Sequence, residues 1–368
     1  MSSFTGRVGL VQRVLPEYRA PFFNALGAAC PSGLGVFAGQ PKPEEMIKTV
    51  ESLEGAHLTR GTNLHLFKGR LYLCIQLGLL RWLKAFNPEV LIVEANPRYL
   101  RTRAALRWMR RRERPVIGWG LGAPPIFGPL AGLRRTRRTR FIRQFDLLIT
   151  YSQTGADEYA RLGFPQDCIF VAANAVSPAP SHPLPDRPVP ASDQHARVLF
   201  VGRLQARKQV DNLLQACACL PQPLQPTLVI VGDGPEREAL QALARDIYPR
   251  AMFTGALYGE DLAEQFRSAD LFVLPGTGGL AIQQAMSYGL PVIAAEADGT
   301  QADLVRPANG WHIPPNNLPA LQSTLAEALA DIPTLRHMGA ESYRIVAEEV
   351  NLENMVAVFI RALKGSMS

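Results

Sequence analysis

The chain predicts an α/β protein built from two doubly wound domains, each a parallel sheet covered by helices on both faces. Three observations carry this expectation. Short runs that are apolar throughout alternate with longer helical patterns along all 368 residues, as in strands buried on both faces. A proline-rich, polar stretch, "SPAPSHPLPDRPVPASDQ" (177–194), divides the alternation near its middle. A hydrophobic content of 47% with 19% charged residues gives enough apolar surface for two separate cores.

Before the break the predicted strands are "RVGLVQ" (7–12), "GLGVFAG" (33–39), "EVLIVEA" (89–95), "RPVIGWG" (114–120), "DLLITYS" (146–152) and "CIFVAA" (168–173). After it come "RVLFVG" (197–202), "TLVIVGDG" (227–234), "MFTGAL" (252–257), "DLFVLPG" (270–276), "LPVIAAE" (290–296) and "GWHIP" (310–314). Helical spacing fills the intervals. The expected division is a first domain over 1–177, a linker over 178–196 and a second domain over 197–350. The amphipathic segment 351–368 is expected to pack back across the junction. In doubly wound sheets ligands bind at the carboxyl ends of the strands, which suggests a cleft between the domains.

Charge is unevenly divided. Residues 1–180 hold 25 Lys and Arg against 12 Asp and Glu, whereas the remainder holds 14 against 20. Much of the positive charge lies in "RYLRTRAALRWMRRRERP" (98–115) and "GLRRTRRTRFIRQF" (132–145). The second run directly follows the uncharged Gly/Pro-rich segment "VIGWGLGAPPIFGPLAGL" (116–133), whose glycines and prolines rule out a membrane-spanning helix. An apolar loop beside an Arg-rich helix suits an anionic membrane surface, with Phe127 and Ile126 inserting shallowly; a merely solvated arginine face is the alternative. Nucleic acid is not expected, because the aromatic residues are not spaced as base-stacking platforms.

The five cysteines are scattered and odd in number, with Cys217 and Cys219 read as core residues. No disulfide framework or metal-ligand spacing is implied. The amino terminus enters a strand pattern without a signal-peptide core. The expected location is the cytoplasm, peripherally on the inner face of the cell membrane.

The chemistry is more legible after the break. The strand "VLFV" ends at Gly202-Arg203, and Lys208 follows at a helix start; an Arg can fork two phosphate oxygens while a Lys acts as a point charge. "VIVGDGPE" places Gly232 in a tight strand-to-helix turn, and "FTGALYG" places Gly255 and Leu257 beside an apolar wall suited to a flat base. "VLPGTGGLAIQQAM" (273–286) then reads as a phosphate loop without a charge of its own.

Together, "VGRLQARKQVDNLLQA", "VGDGPE", "FTGALYGEDLAEQFRSADLFVLPG", "GGLAIQQAMSYGLPVIA" and "NGWHIPPNN" resemble the carboxy-terminal half of the family 4 retaining glycosyltransferases, which have the GT-B fold of two Rossmann-like domains. The likeness is specific over about 197–316 and looser before the break. It implies that Arg203 and Lys208 neutralise the diphosphate of a nucleotide-sugar, and that backbone N–H groups of Thr277, Gly278, Gly279 and Leu280 contact it. The family carries two glutamates eight positions apart around this loop. Here Gly276 and Gln284 stand in their places. Gln284 retains an acceptor oxygen for a ribose hydroxyl, whereas Gly276 offers only backbone. The implied reaction retains configuration and uses the leaving diphosphate to accept the acceptor's proton. It requires no cofactor beyond the donor, and no metal is expected because no acidic pair is placed to hold one.

In the first domain, Glu17 and Arg19 begin a helix after the first strand and are candidates for a sugar or acceptor hydroxyl. Glu94 and Asn96 end the third strand. Trp119 could serve as an acceptor platform or belong to the core. The expected partners are a nucleotide-sugar donor, a glycan or lipid-linked acceptor and an anionic membrane surface. A nucleotide-sugar epimerase of the same fold and an inactive partner subunit are the alternatives.

Overall fold

The computed structural model describes residues 3–45, 47–188, 195–278, 280–296 and 301–367. The chain forms two compact units, one from Met1–Val176 with Leu352–Ser368 and the other from Ser177–Asn351.

The first unit contains β1 (Val8–Val14), α1 (Ala20–Ala28), β2 (Leu34–Gly39), β3 (His57–Arg60), β4 (Thr62–Leu66), β5 (Leu73–Leu77), α2 (Leu79–Phe86), β6 (Val90–Glu94), α3 (Thr102–Arg110), β7 (Val116–Gly120), α4 (Ala131–Ile142), β8 (Leu147–Thr150), α5 (Gln153–Arg161) and β9 (Ile169–Val171). Its seven-stranded sheet has the order β3-β2-β1-β6-β7-β8-β9, and its neighbours pair in parallel. Every residue of β2 is buried, as expected for a strand covered on both faces. β4 and β5 form a separate antiparallel hairpin. The sequence reading missed β3, β4 and β5, whose residues alternate with solvent-exposed positions.

The second unit contains β10 (Arg197–Val201), α6 (Val210–Ala218), β11 (Thr227–Val231), α7 (Arg237–Ile247), β12 (Ala251–Gly255), α8 (Gly259–Ser268), β13 (Leu271–Leu274), α9 (Leu280–Ser287), β14 (Val292–Ala295), α10 (Gln301–Leu304), β15 (Gly310–Ile313), α11 (Leu318–Ala330) and α12 (Ile332–Glu348). Its parallel sheet has the order β12-β11-β10-β13-β14-β15. The proline-rich segment forms no strand among its described residues. It is fastened to this unit instead. The Arg187 guanidinium donates to the carbonyls of Ala269, Phe266 and Gly289 at 2.8, 2.9 and 3.2 Å.

The last helix, α13 (Leu352–Gly365), belongs to the first unit. Phe359 on α13 is fully buried against Phe22 of α1 and Trp119 of β7, with ring centroids 4.9 Å apart in both pairs. Aromatic pairs of this kind add to the stabilisation from area burial alone. Among the described residues no helix is long and apolar enough to cross a membrane. Of the cysteine pair, Cys217 is buried but Cys219 is exposed, which corrects the expectation that both lie in the core.

Candidate functional site

Each sheet has one place where the strand order reverses: between β1 and β6 in the first unit, and between β10 and β13 in the second. Loops leave in opposite directions there, opening a crevice at the strand carboxyl ends. Glu17, Arg19 and Glu94 lie at the first of these points and Arg203, Lys208 and Gly276–Gly278 at the second; Gly232, Gly255 and Leu257 lie at the ends of β11 and β12, and Trp119 is on β7.

In the second unit, β10 runs into Gly202 and the exposed Arg203, and a 3₁₀ turn over Ala206–Lys208 follows. β13 leads into the glycine loop. The two segments are in backbone contact: Thr277 N–H donates to the Arg207 carbonyl at 3.0 Å. The Lys208 ammonium reaches the Thr277 carbonyl at 2.6 Å, and Arg207 Nη1 reaches Thr277 Oγ1 at 3.1 Å. Gln301 supports the loop from the other side, with Nε2 donating to the Gly278 carbonyl at 2.8 Å. Lys208 is half-buried, and burial, reinforced by the neighbouring Arg207 charge, lowers its ammonium to about 8. No carboxylate pairs with it among the described residues. A desolvated cation without a counter-charge favours an anionic ligand.

Two glycines make this contact possible. A Cβ at Gly276 would lie 2.3 Å from the Arg207 carbonyl oxygen and 2.7 Å from Lys208 Cα. A Cβ at Gly278, whose φ is +138°, would lie 2.2 Å from Lys208 Nζ. Thus position 276 has no room for the glutamate of the family pattern while residues 207–208 keep this conformation. The expectation that Thr277 N–H faces phosphate is corrected by the same geometry, because the Arg207 carbonyl occupies it. Gly279 lies outside the described residues, and of Leu280 only its place at the start of α9 is described.

Gln284 is half-buried on α9, and its side chain makes no hydrogen bond among the described residues. Its neighbour Gln283 is buried at 1% exposure and donates to the carbonyls of Val350 and Ser177 at 2.9 and 3.3 Å. Gly232 donates its N–H to the Gly255 carbonyl at 2.8 Å, bringing the turns after β11 and β12 together. The place of a Gly255 Cβ is 3.4 Å from Arg237 Nη1, so the wall there is charged rather than apolar. Leu257 is half-buried beyond it. Arg207 and Gln301 were missed in the sequence. The adjacent Arg-Lys pair was a signal for the first; nothing local marked the second.

In the first unit, the Glu94 carboxylate at the end of β6 accepts the Arg13 N–H of β1 at 2.6 Å. Burial outweighs that bond and pushes the Glu94 carboxyl up to about 7. The Arg13 guanidinium pairs instead with Glu45 at 2.9 Å. Asn96 Oδ1 accepts the Arg98 N–H at 3.1 Å. Glu17 is exposed at the start of a 3₁₀ turn, Glu17–Arg19, with its N–H on the Lys48 carbonyl. The Arg19 guanidinium stands over the rings of Tyr151, Tyr18 and Trp119 at 5.3, 5.8 and 6.0 Å, within cation–π range. Trp119 is 2% exposed and packed among Phe22, Phe23, Tyr151 and Phe359. The structure therefore places it in the core rather than on an open stacking platform.

A cavity of about 920 Å³ opens over Glu94, Asn96, Tyr151 and the Gly120–Gly122 turn. α3 and α4 contribute arginines to its wall. Ile126 is half-buried in its lining, which corrects the expectation that it is free to insert into a membrane; Phe127 beside it is 81% exposed. Among the described residues no three His, Cys, Asp or Glu side chains cluster as for a metal ion.

Residues 186–345 match the family Glycosyl transferases group 1. A GDP-mannose-dependent alpha-mannosyltransferase of Mycobacterium tuberculosis is 45% identical over 111 residues, covering 29% of this chain and 27% of that protein. A sulfoquinovosyl transferase of Arabidopsis thaliana is 39% identical over 105 residues, covering 28% and 20%. The chain thus spans less than a third of the length of these curated relatives. Anabaena HepE in complex with UDP superposes with a TM-score of 0.71 at 16% identity, covering 98% of this chain and 100% of that one. The lipopolysaccharide outer core galactosyltransferase WaaB gives 0.69 at 16% identity, covering 96% and 99%. Two parallel-sheet units and these neighbours make the fold GT-B, within which residues 186–345 match the group 1 glycosyl transferases.

Proposed function

We propose that the protein is a retaining, metal-independent glycosyltransferase. It takes a nucleotide-diphosphate sugar as donor and a glycan or lipid-linked acceptor at the cytoplasmic membrane face. The observation that carries this reading is the half-buried Lys208 ammonium, held on the glycine loop without a carboxylate partner. A donor diphosphate supplies the missing counter-charge, with Arg203 at the end of β10 as the second cation. The anomeric carbon–oxygen bond to the diphosphate breaks, and a bond from the same carbon to the acceptor oxygen forms on the same face. The acceptor's proton passes to the departing phosphate oxygen. The protein's task is therefore to stabilise leaving-group charge, which suits a loop containing no acid. Gln284 is assigned to the ribose through its acceptor oxygen, and Glu94 to an acceptor hydroxyl.

The membrane part of the proposal rests on exposed side chains. Phe127, Leu130 and Leu133 are 81%, 71% and 48% exposed, and Arg134, Arg135 and Arg137 follow on α4. Apolar insertion beside basic charge gives reversible docking on anionic lipid.

A second reading, an inactive partner subunit, is favoured by the engagement of Thr277 N–H with the protein's own backbone. The deciding experiment has two stages. Thermal shifts are measured with a nucleotide-sugar panel that includes GDP-mannose and UDP-glucose, since a ligand of the native state raises the Tm. Nucleoside diphosphate release is then followed with and without a lipid-linked acceptor. Acceptor-dependent release supports the transferase. A thermal shift without release leaves the partner subunit, and no shift with any nucleotide-sugar overturns both readings.

A further inference from the structure

The cavity of the first unit is lined by Arg98, Arg103, Arg134, Arg137 and Arg138, with Glu94 as its one carboxylate. These arginines come from three places: the turn after β6, α3 and α4. None of the five forms an ion pair among the described residues. A second cavity of about 480 Å³, walled by Pro124–Gly128, shares Arg98, Arg134 and Arg138 with the first. Arg138 donates from Nη2 to the Pro124 carbonyl at 2.7 Å, while its buried Nε has no partner. Burial also lowers the Arg138 pKa, outweighing the favourable field of nearby Glu158, so its charge is held at a desolvation cost. Arg134, Arg137 and Arg138 occupy i, i+3 and i+4 positions of one helix, where like charges repel. Of the five, Arg138 is half-buried, and the exposed Arg98, Arg103, Arg134 and Arg137 line the same concavity.

We infer that this cavity binds the phosphate or diphosphate group of the acceptor, through guanidinium groups that converge from α3, α4 and the turn after β6. A carboxylate brings a single charge. A diphosphate brings more charge and several oxygens, each able to take a guanidinium fork. Glu94 lies in the same wall, where it can meet an acceptor hydroxyl. The inference rests on the acceptor part of the proposed function and narrows it from any glycan to one carrying phosphate.

The test is calorimetric titration of the full chain, without donor, with inorganic pyrophosphate and with a short-chain isoprenyl diphosphate sugar. Vesicles of phosphatidylglycerol form a third arm. The variant Arg134→Gln/Arg138→Gln is compared with Arg107→Gln/Arg111→Gln, whose arginines are exposed and outside both cavities. Circular dichroism checks that both remain folded. The first pair should weaken both diphosphate ligands by about ten-fold or more, the scale of losing charge-assisted bonds. The control pair should leave them unchanged, and GDP and UDP affinity should be the same in both. Equal weakening by the two pairs overturns the inference. So does pyrophosphate binding that is lost only with Lys208→Ala. If Arg134→Gln/Arg138→Gln lowers vesicle partition but not pyrophosphate binding, the anion is a lipid headgroup and the inference again fails. Diphosphate binding at the arginines without sugar transfer from any donor sinks the proposed transferase alone. Transfer to phosphate-free acceptors that ignores the arginine pair sinks this inference alone.

Discussion

Positive charge around the first unit's cavity is treated differently from that on several arginines of the second unit. In the second, Arg267, Arg306, Arg336 and Arg344 all meet carboxylates within 3.0 Å. Others, such as Arg187 and Arg197, are held by carbonyl or amide oxygens, and Lys208 is held by the Thr277 carbonyl of the glycine loop. In the first unit the arginines around the cavity have no ion pairs among the described residues. Surface pairs are worth little for stability, so their presence or absence is a poor guide to folding. It is a better guide to ligands. Where a half-buried ammonium sits against a glycine loop without a carboxylate, a single anionic group is expected. Where five cations surround a concavity, the ligand must bring several charges.

The largest expected effect tests the second unit's side of this contrast. Arg203→Ala should cost about 2–4 kcal/mol in kcat/KM, the scale for losing a preorganised charge in the transition state. Lys208→Ala should cost somewhat less. Normal turnover by both variants would remove the diphosphate clamp and leave only the first unit with an anion site. Next comes Gly276→Ala. Its methyl group would meet the Arg207 carbonyl, so thermal unfolding should show a loss of about 1–3 kcal/mol, typical of overpacking. An unchanged Tm would mean that the 206–208 turn moves readily and that the loop has a second, open arrangement.

A third test uses pH. With an ammonium pKa near 8, Lys208 is charged at pH 7 and increasingly neutral at pH 9. Nucleoside diphosphate affinity should therefore fall by up to about ten-fold per pH unit above 8, and Lys208→Gln should abolish that slope. Stability follows the opposite direction. A lysine whose folded pKa is depressed below 10.5 weakens the fold while charged, so its penalty is present below pH 8 and relieved as pH rises to 10.5. Glu94, raised to about 7, behaves differently: its contribution is full below pH 4.5 and lost as pH rises through 7. Urea midpoints of wild type and Glu94→Gln across pH 4.5–7 should diverge with increasing pH. Parallel curves would remove the case for a buried carboxyl in the first unit.

The smallest effect concerns Gln284. If its oxygen holds a ribose hydroxyl, Gln284→Leu should weaken nucleotide binding by about 0.5–1.5 kcal/mol. Gln284→Glu should match or exceed wild type. Equal affinities in all three would show that the side chain points elsewhere.

Much of this architecture was legible in the chain. Each of the twelve apolar runs overlaps a strand; for strands such as β2, β13 and β14, burial on both faces removes polar residues and leaves an unbroken signal. β3, β4 and β5 escaped for the converse reason: their outward-facing positions are polar or exposed, and the β4–β5 hairpin lies outside the main sheet. The Lys208–glycine loop assembly was half readable. Its residues were conspicuous, but the Thr277–Arg207 bond joins positions 70 apart and has no local signature. Trp119 could not be assigned from sequence because its burial depends on Phe22 and Phe359, far away in the chain. The basic runs were obvious as charge. That α3 and α4 turn some of them toward one cavity depends on the 121–130 loop, which no periodicity describes.

The assignment of α13 to the first unit has a consequence for biosynthesis. The second unit is one continuous stretch, Ser177–Asn351, inserted between two parts of the first. Domains form as they leave the ribosome when their residues are contiguous, so the inserted unit has all its residues before the outer one is complete. Until Phe359 emerges, Phe22 and Trp119 lack the ring that covers them. The unit translated first is therefore finished last, and the nascent chain must keep an apolar surface of α1 and β7 from aggregating while the second unit is made.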